Sequence, residues 1–271
     1  MKPAAFDYVR ADSAEAAAGL LKRHGEGARI LAGGQSLMAV LNMRLAQPEL
    51  LIDISRSAEL ARIEVDARWL RVGAAATQAQ VQAHPALPPL LALAMPFISH
   101  FQIRNRGTVC GSIAHADPSA ELPLCLLALQ GSVQLRSAGA LREVAAADFF
   151  TGLLSTARRP DELIESVRFP RPAPGQGFGF AEHSRRHGDF ALCAVAVVAD
   201  ERGLRVAVGG LGDRPYASQM PLLEGAALDE ALNELAWSLD VRDDPHTPAT
   251  TRRHLLRKLA QQAIQQARRT P

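Results

Sequence analysis

The sequence predicts an α+β protein, and three observations carry that prediction. Helical and strand periods alternate around a glycine pair in the first 55 residues. Strand-type runs dominate after a Pro- and Gly-rich stretch at residues 171–177, and an amphipathic helix closes the chain. A length of 271 residues allows one large domain or two modest ones. Hydrophobic residues at 48% and charged residues at 21% argue against disorder. A formal net charge of +2 gives no electrostatic reason for a polyanion partner.

The elements follow in order. Asp12 and Ser13 offer cap oxygens to a helix whose face is Ala17, Leu20, Leu21 and His24, and Gly25 and Gly27 end it. Residues 29–31 form a short strand that runs into Ala32-Gly33-Gly34-Gln35-Ser36. Leu37, Val40, Leu41 and Leu45 mark a second helix capped by Ser36, and residues 50–54 a second strand. Further on, residues 69–73 read as a strand. Pro85, Pro88, Pro89 and Pro96 cut an apolar stretch into short helices. Residues 103–112 form a second glycine loop, 122–129 a Leu-rich helix, 131–137 and 141–144 a hairpin, and 163–169 another strand. After the linker, antiparallel strands are expected at 178–182, 190–199 and 204–209.

Residues 224–244 hold seven acids and one base, and residues 251–271 six bases and no acid. The basic tail is therefore expected to pair with the acidic segment. It has no aromatic residue to stack on bases, so no nucleic-acid partner is expected. Cys110, Cys125 and Cys193 are odd in number and no Cys-x-x-Cys occurs, which argues against a zinc ribbon or a contiguous iron–sulfur motif and fits a reducing compartment. The N-terminus lacks an apolar signal core, and the longest clean apolar run, residues 190–199, is half a membrane helix. A cytoplasmic protein without a membrane span is expected.

The glycine loops carry what chemistry the sequence offers. Gly33-Gly34 lies between a strand and a helix start, where backbone comes close to a ligand and amides point at an anion. Gln35 and Ser36 add side-chain donors. The loop at residues 106–112 repeats this chemistry with Gly107, Thr108 and Gly111, and two such loops suit the two phosphates of a dinucleotide. Each loop alone is more often a tight turn, and the pair together weakens that reading. Neither the Rossmann Gly-x-Gly-x-x-Gly nor the P-loop pattern occurs, and no Ser or Cys sits in a nucleophile turn. His115 and Asp117 have ligand-like spacing, but only Glu121 is near to join them, so no metal is expected. Glu121 itself reads as a helix N-terminal acid or as an acceptor for a ribose hydroxyl. The run Arg185-Arg186-His187 reads as a solvated turn or as an electropositive rim beside an anionic cofactor.

Six segments in order carry a resemblance. They are Ala32-Gly-Gly-Gln-Ser-Leu37, Asn42-Met-Arg-Leu45, Ile103-Arg-Asn-Arg-Gly-Thr-Val-Cys-Gly-Ser112, His115-Ala-Asp-Pro-Ser-Ala-Glu-Leu-Pro123, Asp148-Phe-Phe-Thr-Gly152 and Arg185-Arg-His-Gly-Asp-Phe-Ala191. Over essentially its whole length the chain resembles the FAD-binding medium subunit of the molybdenum hydroxylases, the group of carbon monoxide dehydrogenase and xanthine dehydrogenase. The resemblance implies a two-part FAD-binding domain at residues 1–173, a small α/β part at about 1–57 and a larger α+β part at 58–173. It also implies a small C-terminal domain of antiparallel sheet and helices at 176–271. Ala32, Gly33, Gly34, Gln35 and Ser36, with Thr108, Cys110, Gly111 and Ser112, match the two loops that wrap the FAD diphosphate. Glu121 matches an acid that contacts the adenosine part and Leu163 a position near the adenine. Phe190 matches an aromatic that approaches the isoalloxazine, which Ile103 also flanks.

The implied role is electron transfer without a catalytic acid–base pair. Electrons come from the [2Fe–2S] clusters of a small subunit, which serves a large subunit carrying the molybdenum cofactor. They leave to an external acceptor, and the assembly is a dimer of heterotrimers. Two other readings stay open, a flavin-free assembly subunit of the same complex and a stand-alone flavin reductase. The sequence departs from the family pattern in three places. Cys110 stands where a glycine is usual, Glu182 where some relatives have a cofactor-facing Lys, and a Cys-rich insertion that holds an extra four-iron cluster is missing.

Overall fold

The computed structural model describes residues 2–241, 243 and 247–269. The first elements are β1 (Asp7–Arg10), α1 (Ala14–His24), β2 (Ala28–Leu31), α2 (Leu37–Asn42) and β3 (Leu50–Asp53), and the strands form a parallel sheet in the order β1-β3-β2. Ser13 caps α1, its Oγ accepting from Ala16 N at 3.1 Å. Ala14, Ala17, Ala18 and Leu21 form the buried stripe of that helix, and Gly25 ends it at φ +51°. β1 was not expected from the sequence. Its residues are exposed or half-buried without alternation, so no period of two reveals it, and it forms through pairing with β3.

The second group is β4 (Ile63–Val65), β5 (Trp69–Gly73), α3 (Gln78–Gln82), α4 (Pro89–Ala94), α5 (Phe101–Arg104), α6 (Val109–His115), α7 (Glu121–Ala128), β6 (Ser132–Ser137), β7 (Ala140–Ala145), α8 (Ala146–Phe149), β8 (Phe150–Gly152), β9 (Ser155–Thr156) and β10 (Leu163–Pro170). Five of these strands form an antiparallel sheet in the order β4-β5-β10-β6-β7. Val167 of the central β10 pairs with Val72 on one side and Val133 on the other, all three fully buried. Removing such side chains from water is what drives this sheet together.

The third group is β11 (Gly177–His183), β12 (Cys193–Asp200), β13 (Gly203–Gly209), β14 (Tyr216–Met220), α9 (Gly225–Ser238) and α10 (Ala249–Arg269). The strands form a meander in chain order, and alternation sorts their two faces. Val195, Val197 and Val206 pack with Leu232, Leu256 and Ala260 of the two helices. Phe180, Ala194, Ala196 and Ala207 join the core that holds α4 and α7. Gly179 lets α10 approach, since a Cβ there would stand 1.9 Å from the Ala263 carbonyl oxygen. The strand expected over 190–199 begins only at Cys193, because residues 184–192 form a loop.

The expected pairing of tail and acidic segment occurs. Arg268 lies 3.4 Å from Glu224, Gln261 donates to Asp229, and the Arg253 guanidinium sits over Trp237. Arg242 and Asp244 of that segment, and Thr270 and Pro271 of the tail, lie outside the described residues. No helix among the described residues is long and apolar enough to cross a membrane.

Candidate functional site, a cleft closed by two glycine segments

The two glycine segments meet. Gly33 packs on the backbone of residues 106 and 107, where a Cβ would stand 2.2 Å from the Arg106 carbonyl oxygen and 2.7 Å from Gly107 Cα. Only a residue without a side chain fits that seam. Gly34 takes φ +72°, a left-handed turn that carries the chain from β2 toward α2. On the other side, Gln78 N donates to Gly107 O at 2.8 Å and Val109 N to Ala76 O at 3.3 Å, which ties the second segment to α3.

Along this seam runs a cleft of about 670 Å³. That volume lies in the range of about 300–1,000 Å³ usual for ligand sites. All the expected site residues line it: Ala32, Gly33, Gly34, Gln35, Ser36, Ile103, Thr108, Cys110, Gly111, Ser112, Glu121, Leu163 and Phe190. Their local settings differ from the sequence reading in four ways. Residues 109–112 are not a loop but the first turn of α6. Thr108 is its cap, with Oγ1 accepting from Gly111 N at 2.9 Å, and that contact leaves no room for a Cβ at Gly111. Ser36 does not cap α2, because its own φ and ψ are helical and its hydroxyl makes no cap bond. Gln35 braces its loop, Nε2 donating to Gly33 O at 3.0 Å. Phe190 stands in a loop at the cleft mouth, 60% exposed, rather than in a strand.

Cys110 is the departure that matters for the backbone. It lies inside α6 with an ordinary negative φ, so the missing glycine costs no left-handed strain. Its Sγ contacts Val72 O at 3.4 Å in the core, and burial pushes the thiol up to about 12. It stays protonated and has no character of a nucleophile.

Cations and acids both line the cleft. Arg29 and Arg158 line it beside Leu163. Arg158 Nη1 donates to Arg159 O and Glu162 O at 2.9 and 2.8 Å, and burial followed by the nearby Arg29 lowers its pKa. Glu121, 5% exposed, also lines it, and its charge reaches Glu182 of β11. Burial pushes Glu121 up to about 7 and Glu182 up to about 8, and each is raised further by a neighbouring acid. The sequence reading missed Arg29, Arg158 and Gln78. Only Gln78 sits beside a readable signal, the capping box formed by Thr77 and Gln80 at the start of α3.

The seam tests whether an extended anionic cofactor suits the cleft. A side-chain-free backbone cradle, the hydroxyls of Ser36, Thr108 and Ser112, and the cations Arg29 and Arg158 fit a dinucleotide. This fold and cleft define a cofactor-holding chain. The protein belongs to the family described as the FAD binding domain in molybdopterin dehydrogenase, which matches residues 4–172. It is an oxidoreductase subunit and its cofactor is FAD. The nicotine 6-hydroxylase medium subunit of Paenarthrobacter nicotinovorans is 40% identical, over 98% of this chain and 99% of that protein. The 6-hydroxypseudooxynicotine dehydrogenase complex subunit alpha of the same organism is 36% identical, over 98% and 96%. Among solved structures, a chain of the carbon monoxide dehydrogenase of Hydrogenophaga pseudoflava superposes with a TM-score of 0.94 at 29% identity, covering all of both chains.

Proposed function

We propose that this chain is the electron-transfer subunit of a molybdenum hydroxylase. It takes electrons from the [2Fe–2S] clusters of a small subunit, which a molybdenum-bearing large subunit feeds, and passes them to an external acceptor. The assembly is a dimer of heterotrimers in the cytoplasm. One observation carries the reading: two segments some 70 residues apart in sequence meet in a backbone seam at the floor of one cleft, and every expected cofactor residue lines that cleft. The names of the relatives, a medium subunit and a subunit of a dehydrogenase complex, favour a multi-subunit assembly.

The bound flavin supplies the capacity to collect electrons singly and release them in pairs. The chain holds and orients it. Gly33 and Gly34 let the backbone reach the diphosphate, while Thr108, Ser112 and Ser36 present hydroxyls to it. Leu163, beside Arg158 and Arg29, receives the adenosine part. Phe190 and Ile103 flank the ring, and the exposure of Phe190 leaves that side open to an acceptor or a partner. Glu121 reaches the cofactor from the α7 side. Residues 1–173 act as the FAD-binding domain, in parts 1–57 and 58–173, and residues 176–271 as the C-terminal domain.

The test is a stopped-flow experiment on the complex, with and without the small subunit. Substrate is expected to bleach the flavin only when all three subunits are present. Bleaching of this chain alone by substrate would instead support the stand-alone reductase.

A further inference from the structure

One buried side chain in the lining of the cleft lacks a partner. Gln78, the first residue of α3, is 5% exposed and lines the cleft. Its Oε1 is sealed from solvent and accepts no hydrogen bond. Its backbone is held firmly. The N–H donates to Gly107 O at 2.8 Å, and reciprocal bonds between Thr77 and Gln80 fix the start of the helix around it. The amide packs on the second glycine segment, since a Cβ on Gly107 would stand 3.2 Å from Oε1. Gly107 is also a residue that Gly33 packs on, its Cα 2.7 Å from where a Gly33 Cβ would stand. Gly107 thus joins the Gln78 amide to the seam.

The residue that the amide packs on does not supply the missing donor. The Gly107 N–H donates to Ile103 O at 2.7 Å, and the Gln78 N–H is itself spent on Gly107 O. A buried acceptor without a donor loses its hydration and gains nothing in return. Native structures keep few such groups, and each calls for an explanation. The place of Gln78 in a ligand cleft supplies one. The last torsion of a glutamine is soft, so the amide turns toward the cleft at little cost. A carbonyl oxygen accepts and never donates, which selects the ligand group that serves it. A phosphate oxygen cannot serve Oε1, because it too only accepts. In FAD the donors that flank the diphosphate are the hydroxyls of the ribityl chain and of the ribose.

We propose that Gln78 is a cofactor-binding residue, its Oε1 accepting a hydrogen bond from a sugar hydroxyl of FAD beside the diphosphate. The proposal rests on the flavin reading above. Without FAD the chain keeps an unpaired amide, and loading the cofactor satisfies it. The side chain therefore acts with opposite sign in the two states, a cost without FAD and a gain with it. A residue that merely packs would behave otherwise. Its loss would lower stability and affinity together, whichever sugar hydroxyls the ligand carries.

The experiment compares the full chain with its Gln78→Met and Gln78→Leu variants. It reads the melting temperature without flavin and the affinity for FAD by fluorescence titration. Methionine keeps the straight chain of glutamine and accepts only weakly, and leucine is the second variant in case methionine disturbs the packing. Without FAD, the better-folded variant is expected to melt at or above the wild type. Its FAD affinity should fall about fivefold to tenfold, the worth of one hydrogen bond. FAD analogues that each lack one ribityl or ribose hydroxyl then identify the donor. One of them should bind the wild type more weakly than FAD does by a similar factor, yet bind the variant as well as FAD does. Unchanged FAD affinity in both variants overturns the proposal and leaves the flavin reading standing. A marked fall in melting temperature of both variants without FAD overturns it as well, since the amide would then already have a partner. So does an equal loss of affinity for FAD and for every analogue, the mark of packing alone. Folded wild type that binds no FAD overturns the flavin reading, and the proposal falls with it.

Discussion

The two walls of the cleft are built on different principles. The glycine wall is set by backbone. Gly33 lies on residues 106 and 107, Gly34 turns left-handed, and Thr108 caps α6. The rest of the lining is set by side chains from separate elements, among them Glu121 on α7 and Phe190 on the loop after β11. A backbone wall tolerates almost no substitution because sterics fix it. A side-chain wall is tunable in charge.

The sharpest way to break the contrast is Gly33→Val. Its Cβ would overlap the Arg106 carbonyl, so flavin should be lost, with destabilisation of about 1–3 kcal/mol from overpacking. Denaturant unfolding and the flavin content of the purified chain check this. Retention of flavin by a stably folded variant would show that the seam is not needed.

At Glu121 and nearby Glu182 the expected effect is a pH dependence. Both acids have folded values raised above the unfolded ones, to about 7 and about 8. Their contribution to stability is therefore complete at acid pH and is lost as pH rises through these values. The melting temperature of the double variant Glu121→Gln/Glu182→Gln, minus that of the wild type, should grow from pH 5 to pH 9. A constant difference would place the two carboxyls in ordinary surroundings.

Thr108→Ala should act more weakly. Loss of the cap costs about 1 kcal/mol of stability. FAD affinity, measured by fluorescence titration, should fall about tenfold through the lost hydroxyl, an equivalent free energy. Cys110→Gly should have the smallest effect on the cofactor. The position is helical, so glycine brings no relief of strain and costs roughly 0.5–1 kcal/mol of helix stability. FAD affinity should stay unchanged in the same titration, whereas a large gain would favour the flavin-free assembly subunit.

The same contrast decides what the sequence could reveal. The Ser13 cap, the stripe of α1 and the amphipathic α10 were legible because they follow local periodicity. The glycine pair was legible because few residues tolerate such a turn. β1 was not, since an unalternating strand acquires its identity from its partner. Residues 108–112 looked like a loop because the small residues that allow a tight turn also open a short helix under a Thr cap. Phe190 joined the apolar run of β12 on paper, but Gly188 at φ +86° and the bend around it keep it outside the strand. The influence of Glu121 on Glu182 has no trace in local pattern, because some 60 residues separate them before folding brings them near.

The central claim is that Gly33 and Gly34, with the start of α6, hold the diphosphate of FAD. A crystal structure of the flavin-loaded chain tests it most directly. The phosphate oxygens are expected within hydrogen-bond distance of residues 33–36 and 108–112. Density for FAD with its diphosphate away from that seam would contradict it.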